Sequence, residues 1–99
     1  MYGLLCLDVD KPVGFGHYNF TLSSWSENHD CYLEDLFVAP QARAQGVGRA
    51  IIDAIADAAR LAGSSRLHWM TQRENATARK LYDTYGQESG FVRYRIDLI

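Results

Sequence analysis

The sequence has few cysteines, little net charge and no long apolar run. Its two cysteines, Cys6 and Cys31, can form one bridge at most, which excludes a disulfide framework and makes reduced thiols the expectation. No apolar stretch approaches the roughly 20 residues of a membrane-spanning helix. The net charge of −2 argues against a strongly basic nucleic-acid-binding protein. No basic segment followed by a long apolar one opens the sequence, so we expect a cytoplasmic protein without membrane or nucleic-acid partners.

The residues that are present fit one globular domain over 1–99. Hydrophobic residues make up 47% of the sequence and charged residues 22%, which is too apolar for a disordered chain. The length of 99 residues matches a single domain, and neither an internal repeat nor a linker is visible. Residues 1–35 contain six acids and one base, whereas residues 36–99 contain nine bases and six acids. This asymmetry permits an anionic ligand near one part of the domain and a cationic ligand near another.

Hydrophobic periodicity predicts seven elements in the order β-β-β-α-β-α-β. Pro40 prevents the third strand from continuing, Gly63 follows the first helix, and Asn75 is a suitable cap for the second. The predicted strands cover 2–9, 13–22, 31–38, 66–71 and 91–99, and the predicted helices cover 47–62 and 75–85. We expect an α/β domain with a mixed sheet, in which an antiparallel meander of three strands continues into a parallel, right-handed β-α-β unit.

The segment between the third strand and the first helix carries the strongest ligand signal. Gly46 and Gly48 open the helix, where the first amide N–H groups lack helical partners and the helix dipole favours an anion. Arg43 and Arg49 add positive charge beside them. The segment lacks the Gly-Lys-Ser/Thr of a Walker loop and the third glycine of a Rossmann turn. We therefore predict a phosphate site, with the alternative that the two glycines only shape a tight turn.

The motif Arg43-Ala44-Gln45-Gly46-Val47-Gly48 fits the R/Q-x-x-G-x-G/A signature of the GCN5-related N-acetyltransferases, the GNAT family. The chain resembles that family along nearly its whole length. The stretches 32–38, 75–82 and 90–91 are similar to the family's strand before the signature, its second cofactor helix and the start of its last strand. Within the family, the Tyr-Leu-Glu-Asp strand is similar to that of the diamine (spermidine/spermine-type) acetyltransferases.

The resemblance implies a GNAT-like acyl-CoA N-acyltransferase fold with acetyl-CoA as co-substrate and no metal. The implied reaction is acetyl transfer to a primary amine of a small molecule, such as a diamine or polyamine. Family domains usually begin with a strand and two helices before the segment seen here, so the chain would be N-terminally short. A homodimer is therefore expected, in which the second copy completes the part of the site that these missing elements would form. The alternatives are a catalytically incomplete acyl-CoA-binding or interaction module, and a small α/β domain that binds another phosphorylated ligand.

Candidate roles follow for individual side chains, largely from the resemblance. Tyr82 would protonate the leaving thiolate, and Glu34 would bind the cationic amine or relay its proton. Trp25 and the acidic loop 27–30 would form an entrance for the amine. The alternatives are a core tyrosine, a carboxylate paired with an arginine, and an ordinary polar hairpin tip. The residues assigned to acetyl-CoA are Leu36, Phe37, Val38, Arg43, Ala44, Gln45, Gly46, Val47, Gly48, Arg49, Asn75 and Ala78.

Strand alternation gives expectations for neighbouring side chains. Glu34 would share a face of its strand with Leu36 and Val38, whereas Asp35 would face the other way as a structural residue. His68, alone on a short strand, is interpreted as a structural histidine. The histidines and cysteines match no zinc-binding pattern, so no metal site is predicted.

Overall fold

The computed structural model describes residues 2–8, 10–22, 28–43, 45–86, 88–90 and 92–99. Four strands form one sheet in the order β1-β2-β3-β4, and two α-helices pack beside it. The elements are β1 (Tyr2–Asp8), β2 (Lys11–Leu22), β3 (His29–Val38), a 3-10 turn (Pro40–Ala42), α1 (Val47–Leu61), β4 (Leu67–His68) and α2 (Ala76–Tyr82). Neither helix within these ranges is both long enough and apolar enough to cross a membrane.

The sheet combines antiparallel and parallel pairing. β1, β2 and β3 form an antiparallel meander, and β3 pairs in parallel with β4 after the α1 crossover. The predicted meander and parallel β-α-β unit are therefore confirmed. β4 is shorter than the predicted strand over 66–71, because only Leu67 and His68 pair with β3, opposite Cys31 and Tyr32. A strand extends only as far as a neighbour satisfies its backbone groups.

The core lies between α1 and one face of the sheet. α1 contributes Ile51, Ile52 and Ile55, whose exposed fractions are 0%, 1% and 0%. Gly16 on β2 allows this close approach, since a Cβ there would lie 2.8 Å from the Cδ1 atom of Ile55. The helix ends near its predicted boundary, where Gly63 adopts a φ of +85°. The facing and flanking buried residues of this cluster are Tyr18, Cys31, Leu33 and Ala59.

The C-terminal part departs from the prediction. The expected strand over 91–99 is wrong for this structure, because residues 92–99 adopt no strand and Phe91 lies outside the described residues. A strand needs a neighbour for its hydrogen bonds, and no strand within the described ranges pairs with this segment. The second helix is also shorter than predicted, since α2 ends at Tyr82 and a turn follows over 83–85.

Candidate functional site

The N-terminus of α1 offers backbone N–H groups to a ligand. Gly46 is the N-cap and has a φ of 81° and a ψ of 9°, the left-handed region that favours glycine. A Cβ at Gly46 would meet no atom of the described residues within 4 Å, so glycine is needed here for the backbone angle. Among the residues that the structure describes, no side chain caps the helix, and the first turn of α1 contains no acidic residue. The positive end of the helix dipole is therefore open to an anion.

Gly48 brings the two helices together at this end. A Cβ on Gly48 would lie 3.3 Å from Leu81 Cδ2, which is tighter than an ordinary contact. The second glycine of the motif thus lets a side chain of α2 pack over the first turn of α1. Val47 in the same turn is half-buried and packs against the core beneath α1 and against a second buried cluster of Val13, Ala39 and Ala42.

The two arginines predicted at the phosphate site have different partners. Arg43 is exposed, and its Nε donates a hydrogen bond to the backbone oxygen of Val38 at 3.3 Å, which holds the loop to the end of β3. Arg49 instead donates from Nη2 to Thr84 Oγ1 at 2.8 Å. Its guanidinium carbon lies 5.1 Å from the ring centroid of Tyr85. In this structure Arg49 therefore ties α1 to the turn after α2.

One edge of β3 is open beside this loop. β2 covers one edge of β3 along its length, but β4 covers the other only at Cys31 and Tyr32. From residue 33 to residue 38, no strand in the described ranges pairs with that second edge. In the predicted stretch 36–38 the Val38 oxygen accepts from Arg43, while the other backbone groups that point to this edge have no strand partner in the described ranges and suit an extended ligand, as in recognition by β-strand addition. Leu36 itself is half-buried against the core, and the Phe37 ring stacks on Phe15 at 5.5 Å.

A β-bulge at Glu34 changes which side chains share a face. His17 pairs with Asp35 while Tyr18 pairs with Leu33, so Glu34 is the extra residue on β3. The expected common face for Glu34, Leu36 and Val38 is therefore wrong. Leu36 packs toward α1, whereas Glu34 and Asp35 are exposed on the opposite face.

The hydrogen-bond and ion-pair partners of Glu34 and Asp35 show that both carboxylates lie on the face of the sheet opposite to α1. Glu34 Oε1 accepts a hydrogen bond from Asn19 Nδ2 at 2.6 Å. Asp35 Oδ2 lies 3.5 Å from His17 Nδ1. His17 and Asn19 flank Tyr18, which is buried toward α1, so both point to the other side of β2. Glu34 is thus an exposed carboxylate held by an amide, and neither a core carboxylate nor one paired with an arginine.

Tyr82 lies at the border between the core and an open groove. It is half-buried, and its ring packs edge-on against Trp69 with centroids 5.4 Å apart. Burial raises the pKa of the Tyr82 hydroxyl. The groove has a volume of about 1070 Å³ and runs between β4 and α2. Among its lining residues are His68, Trp69, Met70, Tyr82, Val92 and Arg93.

The remaining predicted site residues have simpler positions. Asn75 is the N-cap of α2, and its Oδ1 accepts a hydrogen bond from the amide of Ala78 at 3.2 Å. Gln45 donates from Nε2 to the backbone oxygen of Gln41 at 3.4 Å. Trp25 and Ala44 lie outside the described residues. Within the ranges that the structure covers, no group of three or more His, Cys, Asp or Glu side chains could hold a metal ion.

Two contacts near the site were not predicted from the sequence. Asp30 is 4% exposed and lies 2.9 Å from Nη2 of the exposed Arg66, so the buried carboxylate belongs to an ion pair and not to an acidic entrance. Tyr85 donates a hydrogen bond to Asp53 Oδ1 at 2.8 Å, and burial, followed by this bond, raises the pKa of Tyr85 to about 12. Each contact joins residues more than 30 positions apart, so no local pattern in the sequence indicates it.

His68 lies on β4 and lines the groove between β4 and α2. Its ring lies 5.0 Å from that of Tyr32, and its buried Nε2 has no hydrogen-bond partner in the part of the chain that the structure describes. Burial lowers the pKa of His68, the charge of Arg66 lowers it further, and Asp30 opposes the change. The neutral imidazole is therefore favoured, and the ring packs as part of the sheet.

Comparison with known proteins identifies similar sequences. A family model described as the acetyltransferase (GNAT) family matches residues 1–86. The chain is 32% identical over 97 residues to the D-amino-acid N-acetyltransferase HPA3 of Saccharomyces cerevisiae, covering 96% of this chain and 60% of that protein. It is 38% identical over 76 residues to the thialysine N-epsilon-acetyltransferase of Bos taurus, covering 77% and 44% respectively. The chain spans about half the length of these two curated relatives.

The fold is also shared with solved structures. The aminoglycoside N-acetyltransferase AAC(6')-Iy, determined in complex with CoA, matches with a TM-score of 0.85 at 20% sequence identity. The match covers 98% of this chain and 66% of that chain. At this identity the likeness concerns the fold alone.

Proposed function

Because the chain belongs to the GNAT family of acetyltransferases, we propose that it binds acetyl-CoA and transfers the acetyl group to a primary amine of a small molecule. The observation that carries the proposal is the opening of α1 at Gly46 close to the unpaired edge of β3. Free helix amides suit a pyrophosphate, and an open strand edge suits an extended pantetheine arm. One region of the molecule thus offers both kinds of contact.

In the proposed reaction the neutral amine attacks the thioester carbonyl carbon, a C–N bond forms and the C–S bond breaks. A backbone amide in the stretch 36–38 would donate to the carbonyl oxygen as negative charge develops there. Glu34 would accept the proton of the amine, and Tyr82 would donate a proton to the CoA thiolate. The Tyr82 hydroxyl carries its proton at neutral pH, because the ordinary pKa of tyrosine lies near 10 and burial raises the pKa of Tyr82 further.

The proposed acceptor is a cationic diamine or polyamine. Glu34 and Asp35 lie side by side on the exposed face of β3, and adjacent carboxylates attract ammonium groups. The Bos taurus relative, named for thialysine, supports an amine at the end of a side chain. The Saccharomyces cerevisiae relative is named for D-amino acids instead, so the two acceptor classes must be compared directly.

Thermal unfolding with acetyl-CoA, CoA or ATP at equal concentration tests the cofactor site. A ligand that binds only the folded chain stabilises it by RT ln(1 + [L]/Kd), about 2.7 kcal/mol at a hundredfold excess over Kd. We expect acetyl-CoA and CoA to raise the Tm and ATP to leave it unchanged. An equal shift with ATP would favour a general phosphate site, and no shift with any of the three would contradict the cofactor proposal.

Release of free CoA thiol over a panel of spermidine, thialysine and D-amino acids then tests the reaction. We expect turnover with the first two and a higher KM for them in Glu34→Gln, because the exposed carboxylate attracts the cation. Asp57→Asn, a neutralised carboxylate on the exposed face of α1, is the matched control. Binding of acetyl-CoA without turnover of any amine would instead support an acyl-CoA-binding module.

A further inference from the structure

Two side chains of β2 meet the two carboxylates of β3 on the face of the sheet opposite to α1. Asn19 Nδ2 donates to Glu34 Oε1 at 2.6 Å, and His17 Nδ1 lies 3.5 Å from Asp35 Oδ2. His17 and Asn19 are two positions apart, so both point to the same side of their strand. In the proposed reaction Glu34 is the base, whereas His17 has no part in it.

The position of the His17 ring is set by its neighbours on β1 and β2. Gly3 pairs with His17, and a Cβ at Gly3 would lie 3.3 Å from His17 Cδ2, which is closer than an ordinary contact. On the same strand as His17, the Phe15 ring has its centroid 5.0 Å from that of the imidazole. Contacts on two sides of the ring therefore keep Nδ1 directed toward Asp35.

The partners of the two carboxylates differ in the charge that they can carry. Asn19 has a neutral amide and leaves the charge of Glu34 unchanged. An imidazole, in contrast, changes between a neutral and a cationic form between pH 5 and pH 8. When His17 is cationic, it forms an ion pair that cancels the charge of Asp35. The carboxylate pair then presents one negative charge to a ligand, and with a neutral His17 it presents two.

The other groups around His17 do not share this role. On β3 the titratable residues of this face are Tyr32, Glu34 and Asp35, and within the described ranges Asp35 is the only carboxylate at ion-pair distance from His17. The side chains of His17 and Asp35 are 41% and 62% exposed, so protons and an ammonium group can both reach them. On the β1 side a cavity of about 330 Å³ is lined by the ring of His17 and by four uncharged residues, Gly3, Leu4, Leu5 and Phe15.

We propose that His17 determines how strongly the site prefers an acceptor with two positive charges, because it opens or closes Asp35 to a second ammonium group. This role rests on the proposed function, in which the reacting amine lies at Glu34. With a neutral His17, Asp35 binds the second ammonium group of a short diamine, which is then preferred to a monoamine of the same length. With a cationic His17, the ion pair occupies Asp35 and the preference falls. His17 is thus a specificity-determining residue and not a catalytic one.

Calorimetric titration with 1,3-diaminopropane and with propylamine at pH 7.5 and pH 5.5 tests this role. The two amines share one carbon chain, their ammonium groups are charged at both pH values as that of lysine is, and CoA in place of acetyl-CoA allows binding without turnover. We expect the diamine to bind more tightly at pH 7.5. The ratio of the two Kd values should fall about two- to fivefold at pH 5.5, the size expected for one pair of partly exposed charges. The ratio cancels every effect of pH that both amines share.

Three variants locate the effect. His17→Gln cannot become cationic and should keep the pH 7.5 ratio at pH 5.5. Asp35→Asn removes the second carboxylate and should show the low ratio at both pH values. Asp57→Asn neutralises a carboxylate that is paired with Arg60 on α1, so this matched control should keep the wild-type change. Circular dichroism verifies that each variant is folded.

Three results would overturn the proposal. A wild-type ratio that is the same at both pH values would mean that His17 does not control Asp35. An equal fall of the ratio in His17→Gln and in the wild type would mean that another group titrates. No amine binding, or equal binding of both amines at pH 7.5, would mean that Asp35 takes no second ammonium group. Failure of the proposed function gives a different pattern, in which the Kd ratios behave as expected but neither amine releases CoA thiol from acetyl-CoA.

Discussion

The part of the molecule built on α1 and the part built on β4 and α2 cover their apolar side chains to very different degrees. Along α1, Ile51, Ile52 and Ile55 are at most 1% exposed. Along α2 no residue is buried, and Val92 and Tyr94 beyond it are 67% and 91% exposed. The first part is stabilised by its own packing, whereas the second has apolar surface that a ligand or a second copy can still cover.

The largest effect expected from this division is catalytic and falls on Tyr82. Tyr82→Phe removes the proposed proton donor while keeping the ring against Trp69, so kcat should fall by about 10²–10⁴-fold. Tyr85→Phe is the matched control, since it removes hydrogen bonds to Asp53 and to the backbone of Arg49. The control should lose about 1 kcal/mol of stability and keep its kcat. Steady-state kinetics of both variants decides the assignment, and equal kcat values for Tyr82→Phe and the wild type would refute it.

The next largest effect is on stability and falls on the α1 part. Ile55→Ala leaves a cavity at a fully buried position and should lower the free energy of unfolding by about 2–5 kcal/mol. Leu61→Ala in the same helix removes a side chain that is 92% exposed, and should change stability by no more than about 0.5 kcal/mol. Urea unfolding of the two variants measures the contrast. Similar losses at both positions would contradict the view that the core lies on one face of α1.

The smallest effect is a pH dependence that belongs to the β4 part. Burial lowers the pKa of His68 below its ordinary value of 6.5, so near that pH the unfolded chain binds more protons than the folded chain. The stability contribution is therefore present above pH 6.5 and is lost as the pH falls toward the folded-state pKa. His68→Gln should reduce the acid-induced loss between pH 7 and pH 5 by less than about 1 kcal/mol, given solvent screening. Urea unfolding across this range measures it, with Gly86→Ala as a control that changes no titratable group. A steeper loss in His68→Gln than in the control would reverse the sign argued here.

Local patterns were sufficient to predict the well-packed part of the fold. Helical spacing of the isoleucines located α1, Pro40 marked the end of β3, and the two glycines after it marked the start of the helix. These features depend on residues close together in the sequence. The position of Asn75 at the start of α2 is of the same kind, since its cap contact spans three residues.

The features that the sequence did not reveal depend on pairing between distant segments. The bulge at Glu34 exists only relative to the register of β2. One extra residue is enough to place Leu36 and Val38 on the face opposite to Glu34, although strict alternation predicts a shared face. The Asp30–Arg66 ion pair joins positions 36 residues apart. The segment 92–98 has a clear strand pattern, yet a pattern cannot state which edge will accept the strand. Each of these wrong or missing predictions concerns which segment pairs with which, and not the preference of a segment for helix or strand.

The single extra residue at Glu34 has a consequence for how such a sheet can change over evolution. On either side of the bulge, Leu33 and Leu36 still face α1, so deletion of Glu34 would restore an unbroken ladder with β2 and leave the inward-facing residues where they are. The same deletion would remove both the proposed base and the local bend of β3. A lineage could therefore lose or regain this chemistry through a change of one codon, at little cost to the architecture that carries it.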